Sequence, residues 1–138
     1  MANIHATSLV LGSKGILLTG ASGSGKSDLA LRMIKEKGAV LIADDRTDLS
    51  VIDNRLIASC PRAICGLLEV RGLGIISLPV QEQAEVVLVA ELVADIKDII
   101  RMPQSEVIEL CGIPVKKIKL YPFEFSAVHK LALACDEN

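Results

Sequence analysis

Eight consecutive residues carry the densest chemistry in the chain: Gly20-Ala21-Ser22-Gly23-Ser24-Gly25-Lys26-Ser27. They spell G-x-x-x-x-G-K-[ST], the pattern of a phosphate-binding loop. Glycines let the backbone turn tightly and aim its N–H groups inward at phosphate oxygens. A helix leaving the loop adds the positive end of its dipole. Lys26 is expected to reach the β and γ phosphates of a nucleotide, and the Ser27 hydroxyl to coordinate Mg²⁺. The plainer alternative is a glycine-rich turn between strand and helix.

Phosphoryl transfer needs a carboxylate beside the γ phosphate and the metal. Asp44 and Asp45 close an apolar run 17 and 18 residues beyond Ser27. In open α/β sheets the carboxyl ends of strands line the ligand crevice, which would bring this pair beside the loop. Adjacent residues at a strand end point to opposite faces, so one can orient a water or a metal while the other accepts a proton. A pair of turn-forming aspartates is the competing reading. In Glu69-Val70-Arg71-Gly72-Leu73-Gly74 a carboxylate, a guanidinium and two glycines fall within six residues. Glu69 could bind a metal and Arg71 a phosphate; a glycine loop with a surface ion pair fits the spacing equally well. His5 reaches the site only if its strand pairs with the strand that enters the loop. Arg101 reads on spacing alone as an ordinary terminal charge, and His129 as structural.

These residues need elements to hold them. His5–Leu11 and Ile16–Thr19, joined by the turn Gly12–Gly15, predict a hairpin that feeds the loop. Ser27–Lys37 predicts a helix with Leu29, Leu31, Met33 and Ile34 on its apolar face and Gly38 as its stop. Ala39–Ala43 predicts a strand, Leu49–Ile52 and Arg55–Ala58 a hairpin around Asp53-Asn54, and Pro61–Leu68 a short helix. Glu85–Glu91 predicts another strand, and Val107–Leu110 with Ile113–Leu120 a last hairpin. Pro122 is expected to open a terminal helix over Phe123–Cys135. Hairpins mixed with βαβ-like pieces predict an α/β fold with a mixed, partly antiparallel sheet.

Composition narrows the function classes. A chain of 138 residues is expected to form one domain. With no Trp, one Tyr and two Phe, it lacks the aromatic platforms of a base-stacking RNA module and does not suggest an adenine sandwiched between rings. A net charge of −2, with Lys116-Lys117-Ile118-Lys119 as the densest basic cluster, gives no stripe for nucleic acid. The four cysteines form no C-x-x-C pair, so buried thiols are expected. No signal core or membrane span is evident, and a cytoplasmic protein is expected.

Taken in order, these motifs resemble the catalytic domain of the HPr kinase/phosphorylase family, over roughly His5 to Arg101. Ile4-His5 stands at that family's active-site histidine, Gly20–Ser27 at its phosphate loop, and Ala43-Asp44-Asp45 at its A-D-D strand end. Leu67–Ile76 resembles the family signature, and Arg101 falls where a downstream active-site arginine is expected. The resemblance implies a single P-loop-containing kinase domain, related in fold to phosphoenolpyruvate carboxykinase. It implies an ATP- and Mg²⁺-dependent protein serine kinase acting on the phosphocarrier protein HPr and so regulating the sugar phosphotransferase system. The implied roles are catalytic for His5, Lys26, Asp45, Arg71 and Arg101, and metal-binding for Ser27, Asp44 and Glu69. With inorganic phosphate as attacker, the same site would dephosphorylate the serine. Because His5 lies near the start, the chain resembles the short α-proteobacterial form, with residues 1–138 as the catalytic domain and the family's N-terminal domain absent. A homo-oligomer is implied, without nucleic acid or membrane. The family's V-P-V-x-P-G-R-N stretch is replaced here by Ile118–Phe125, which lacks its Gly and Arg. A small P-loop NTPase and a nucleotide-sensing regulatory module remain the alternatives.

Overall fold

In the computed structural model, which describes residues 1–136, the loop at Gly20–Gly25 leaves the middle of a curled mixed sheet. In chain order the elements are β1 (Ala2–His5), β2 (Thr7–Leu11), β3 (Lys14–Thr19), α1 (Lys26–Lys37), β4 (Val40–Ala43), β5 (Arg46–Ile52) and β6 (Arg55–Ser59). There follow β7 (Leu67–Val70), β8 (Gly74–Ser77), β9 (Gln83–Leu92), β10 (Glu106–Leu110), β11 (Ile113–Leu120) and α2 (Ala127–Asp136). One wing of the sheet runs β4-β2-β3-β9-β11-β10; the other continues from β9 through β6 and β5 to β1. β3 runs parallel to β9, and β9 parallel to β11, while the hairpins are antiparallel. The expected α/β fold with a mixed sheet is what the chain forms.

Alternation along the central strands sorts side chains between two cores. Ile16 and Leu18 of β3 face α1 and α2, packing with Leu29, Ala30 and Met33 of α1 and Val128 and Leu131 of α2. Leu17 points the other way, into a core closed by Ile42, Leu49, Leu56 and Ala58, where the β5–β6 wing folds over. Leu17 is fully buried, and Leu17→Ala is expected to cost about 2–5 kcal/mol. Along β9 alternate residues change core because the strand is bulged. Gly15 pairs with Val86 but Ile16 pairs with Leu88, leaving Val87 as the extra residue. The bulge switches faces, so Ala84 and Val86 join the curled core, and Leu88, Ala90 and Leu92 the helix-side core. Gly15 permits it: a Cβ there would lie 2.5 Å from the Glu85 carbonyl oxygen.

Several elements depart from the sequence expectations. The single strand over His5–Leu11 is two strands broken at Ala6: β1 pairs with β5, whereas β2 pairs with β3 and β4. A continuous strand could not serve both wings, and periodicity does not report a change of partner. Over Pro61–Leu68 the short helix is one 3-10 turn, Arg62–Ile64, followed by Gly66 at φ 79 and then β7. The turn ends at Cys65, whose ψ of 131 has already left helical geometry, and Gly66 at positive φ then redirects the chain into β7. The glycine-rich segment beyond Glu69 is the β7–β8 hairpin, with the turn centred on Gly72 at φ 92. The terminal helix starts at Ala127 rather than Phe123. The Pro122 carbonyl is taken by the Arg32 guanidinium instead of a helical N–H, so Pro122–Ser126 stays a turn.

The cysteines also depart from expectation. Cys60 and Cys65 flank the Arg62–Ile64 turn with Cα atoms 5.5 Å apart and are joined as a disulfide. Cys111 is exposed, and Cys135 alone is a buried free thiol. The basic cluster lies on β11, where Lys117 is 3.0 Å from Glu91 and 3.9 Å from Glu106. No helix among the described residues is long and apolar enough to cross a membrane.

Candidate active site

Strand directions gather one rim of the sheet. The carboxyl ends of β3, β4, β9 and β11 and the start of β2 all fall on the same edge. There the loop Gly20–Gly25 carries β3 into α1. Gly20, Gly23 and Gly25 hold φ values of 147, 78 and 102, which L side chains rarely adopt. At Gly20 a Cβ would also lie 2.7 Å from Ser24 Oγ. Lys26 is buried and curls back, its ammonium donating to the carbonyls of Gly20 and Ala21 at 2.9 Å each. Burial lowers its pKa from the ordinary 10.5, and the nearby Asp45 and Asp44 carboxylates oppose that shift.

Asp44 and Asp45 are adjacent in sequence and opposite in circumstance. Asp44 is 7% exposed. Its Oδ1 accepts hydrogen bonds from Thr7 Oγ1 at 2.9 Å and Ser27 Oγ at 2.7 Å, and its Oδ2 from the Glu69 backbone N–H at 3.2 Å. One carboxylate thus ties together β2, the start of α1 and β7. Asp45 sits at φ 67, a conformation uncommon for a non-glycine residue and often found at functional sites. That backbone turns its side chain outward, 72% exposed, with Oδ1 3.0 Å from His5 Nε2. His5 arrives by a route other than the hairpin into the loop: β1 pairs with β5 in a register that sets His5 opposite Arg46, next to Asp45.

A cleft of about 560 Å³ opens over the loop. It is lined by His5, Thr7, Asp45, Glu69 and Arg71, along the loop by Ser22, Gly23, Gly25, Lys26 and Ser27, and also by Leu31 of α1 and by Phe123. Glu69 and Arg71 come from the end of β7 and its turn. Arg101 stands apart. It is exposed between the turn Ile96–Asp98 and β10 and does not line the cleft, because the chain leaves β9 for the far side of β11. Thr7, Leu31 and Phe123 are lining residues without a sequence signal of their own. Thr7 looks like an ordinary strand residue until β4 is placed beside β2.

The oxygen donors suit a hard cation. Ser27 Oγ and Asp44 lie in contact, with Glu69 anchored to Asp44 through its N–H. No group of three or more His, Cys, Asp or Glu side chains among the described residues could hold a metal by itself. Mg²⁺ usually takes one or two carboxylates and completes its shell with water and substrate phosphates, and the Ser27 hydroxyl and the Asp44 and Glu69 carboxylates would fit such an ion.

Strand, glycine loop and helix together make an α/β domain in which the loop and Lys26 share a cleft with a carboxylate–imidazole pair. A family model described as HPr Serine kinase C-terminal domain matches residues 1–121; the chain belongs to that family. The HPr kinase/phosphorylase of Clostridium botulinum (strain Eklund 17B / Type B) is 39% identical over 125 residues, covering 83% of this chain and 41% of that protein. Its counterpart from Clostridium tetani (strain Massachusetts / E88) is 55% identical over 65 residues, 47% of this chain and 21% of that protein. The chain thus spans about two fifths or less of the length of these relatives. The solved Hpr(Ser) kinase/phosphatase from Coxiella burnetii aligns over 100% of both chains, with TM-score 0.83 and 31% identity.

Proposed function

We propose that this domain is an ATP- and Mg²⁺-dependent serine kinase that phosphorylates the phosphocarrier HPr, and so regulates the sugar phosphotransferase system. The carrying observation is Asp45: an exposed carboxylate in a left-handed conformation, paired with His5, in the same cleft as the glycine loop and Lys26. The loop amides and Lys26 bind the triphosphate, with the lysine exchanging its carbonyl partners for phosphate oxygens. Ser27 and Asp44, with Glu69, hold Mg²⁺. When bound, the cation neutralises charge building on the phosphate oxygens. Asp45 accepts the proton of the incoming serine hydroxyl as its oxygen attacks the γ phosphorus and the bond to the β-phosphate oxygen breaks. His5 orients the Asp45 carboxylate, and Arg71 faces the transferred group as a fixed cation. Arg101 has no step in this scheme.

The reverse reaction uses the same groups. Inorganic phosphate attacks the phosphoserine, Asp45 returns its proton to the departing serine oxygen, and pyrophosphate is released.

The test is transfer of labelled γ phosphate from ATP to purified HPr. Labelling of a serine in HPr is expected, absent in Lys26→Ala, and lost in Asp45→Asn while ATP binding persists. Transfer that survives Asp45→Asn would remove the base assignment. ATP hydrolysis or binding without labelled HPr would favour a small NTPase or a nucleotide-sensing module.

A further inference from the structure

The cleft has an apolar side that the transfer scheme leaves unused. The chain contains only three aromatic residues, Tyr121, Phe123 and Phe125, and Phe123 projects its ring into the cleft beside the glycine loop. Its ring carbons sit against Gly25: a Cβ on that glycine would meet Phe123 at 3.0 Å. Phe123 is nonetheless 57% exposed, so its contact with the loop, made through the Cζ–Cε1 edge of the ring, leaves most of the residue open. It is also held. Arg32, paired with Asp28 at 3.1 Å, donates to the Pro122 carbonyl, and the Tyr121 ring meets Phe123 edge-on with centroids 5.9 Å apart. A large exposed apolar side chain, fixed from two sides, is a preformed surface.

Strand order says what lies on it. From β3, which feeds the loop, β2 and β4 lie to one side and carry Thr7 and Asp44-Asp45; β9 and β11 lie to the other, and Phe123 follows β11. A triphosphate on the loop with its γ end at Asp45 directs its nucleoside end away from that carboxylate, toward the Phe123 side. We infer that Phe123 is the platform on which the nucleobase stacks, a one-sided contact. A phenyl ring offers a π face to any base and no hydrogen-bonding edge, so it adds affinity for the nucleoside and none for the phosphates. This rests on the loop binding a nucleoside triphosphate, and the experiment separates the two claims.

Binding of ATP and of inorganic tripolyphosphate, each with Mg²⁺, is measured by calorimetry for wild type, Phe123→Ala and Phe123→Tyr. Phe123→Ala is expected to weaken ATP by about five- to a hundredfold and leave tripolyphosphate within about twofold, with Phe123→Tyr restoring ATP. Because the chain has no Trp, Phe123→Trp provides a single reporter whose fluorescence ATP, but not tripolyphosphate, should quench. Equal losses for both ligands in Phe123→Ala would mean that the ring merely packs the loop, and would overturn the platform. An unchanged ATP affinity with a raised KM for the acceptor protein would overturn it in favour of a protein contact. Failure of wild type to bind either ligand would remove the nucleotide reading itself, and the platform with it.

Discussion

The two sides of the cleft are held by different physics. On the Asp45 side, one buried carboxylate, Asp44, collects three donors from three elements, and its neighbour is forced outward at positive φ. On the Phe123 side, a turn is fixed by the Arg32–Pro122 carbonyl bond, the Lys130–Glu124 ion pair and an edge-on ring contact. The first side is over-determined, as a group that must meet a reacting atom requires. The second needs only a face in roughly the right place, because stacking tolerates displacement that proton transfer does not. Positional accuracy is concentrated where bonds are expected to change.

That contrast can be broken in order of expected effect. Asp45→Asn should reduce transfer to HPr by about 10²–10⁴-fold, read by labelled phosphate. Its urea midpoint should move little, about 0.5 kcal/mol or less, because the side chain is exposed. Asp44→Ala should do the reverse to stability. It leaves Thr7, Ser27 and the Glu69 N–H without their acceptor, and the loss should be about 2–4 kcal/mol in urea denaturation. If Asp44→Ala unfolds at the wild-type midpoint, its network does not organise the rim. On the opposite side Arg32→Met keeps the aliphatic stem but frees the Pro122 carbonyl. Weakening of ATP by about two- to fivefold is expected from one lost hydrogen bond, with no change for tripolyphosphate.

The smallest effect concerns pH. Burial lowers the Lys26 pKa below 10.5, so the folded chain resists carrying this charge more than the unfolded chain does. The resulting penalty is full at neutral pH, where both states are protonated. It fades as pH climbs through the folded value toward 10.5, above which both states are neutral. Wild type should therefore gain stability relative to Lys26→Met across that alkaline window, as measured by denaturation in the absence of nucleotide. A difference that is flat with pH would mean that the ammonium is as well solvated by its two carbonyl partners as by water.

Legibility in the sequence follows the range of the interaction involved. Gly20–Ser27, the helix ending at Gly38 and the hairpins at Asp53-Asn54 and Cys111-Gly112 are local, and their spacing announces them. The β7–β8 hairpin is hidden because its two strands are four residues each and its turn is read first as a glycine loop. The Cys60–Cys65 bridge is hidden because a five-residue separation in a helix-like pattern does not report that the chain doubles back there.

What the sequence by itself determined is the set of groups: a glycine-rich loop ending in Lys26-Ser27, a double aspartate at a strand end, and a carboxylate and a guanidinium two residues apart. Each is a matter of residue type at short spacing, where backbone geometry leaves few choices. What only the tertiary structure decided is how they divide the work. The break at Ala6 sends His5 to β5 and Thr7 to β4, and the fold buries one aspartate while exposing the next. It also leaves Arg101 outside the cleft lining and leans Phe123 on Gly25. Those outcomes depend on strand pairing between residues some 40 positions apart and on a carbonyl claimed by a distant arginine. Long-range contacts of this kind leave no periodicity behind.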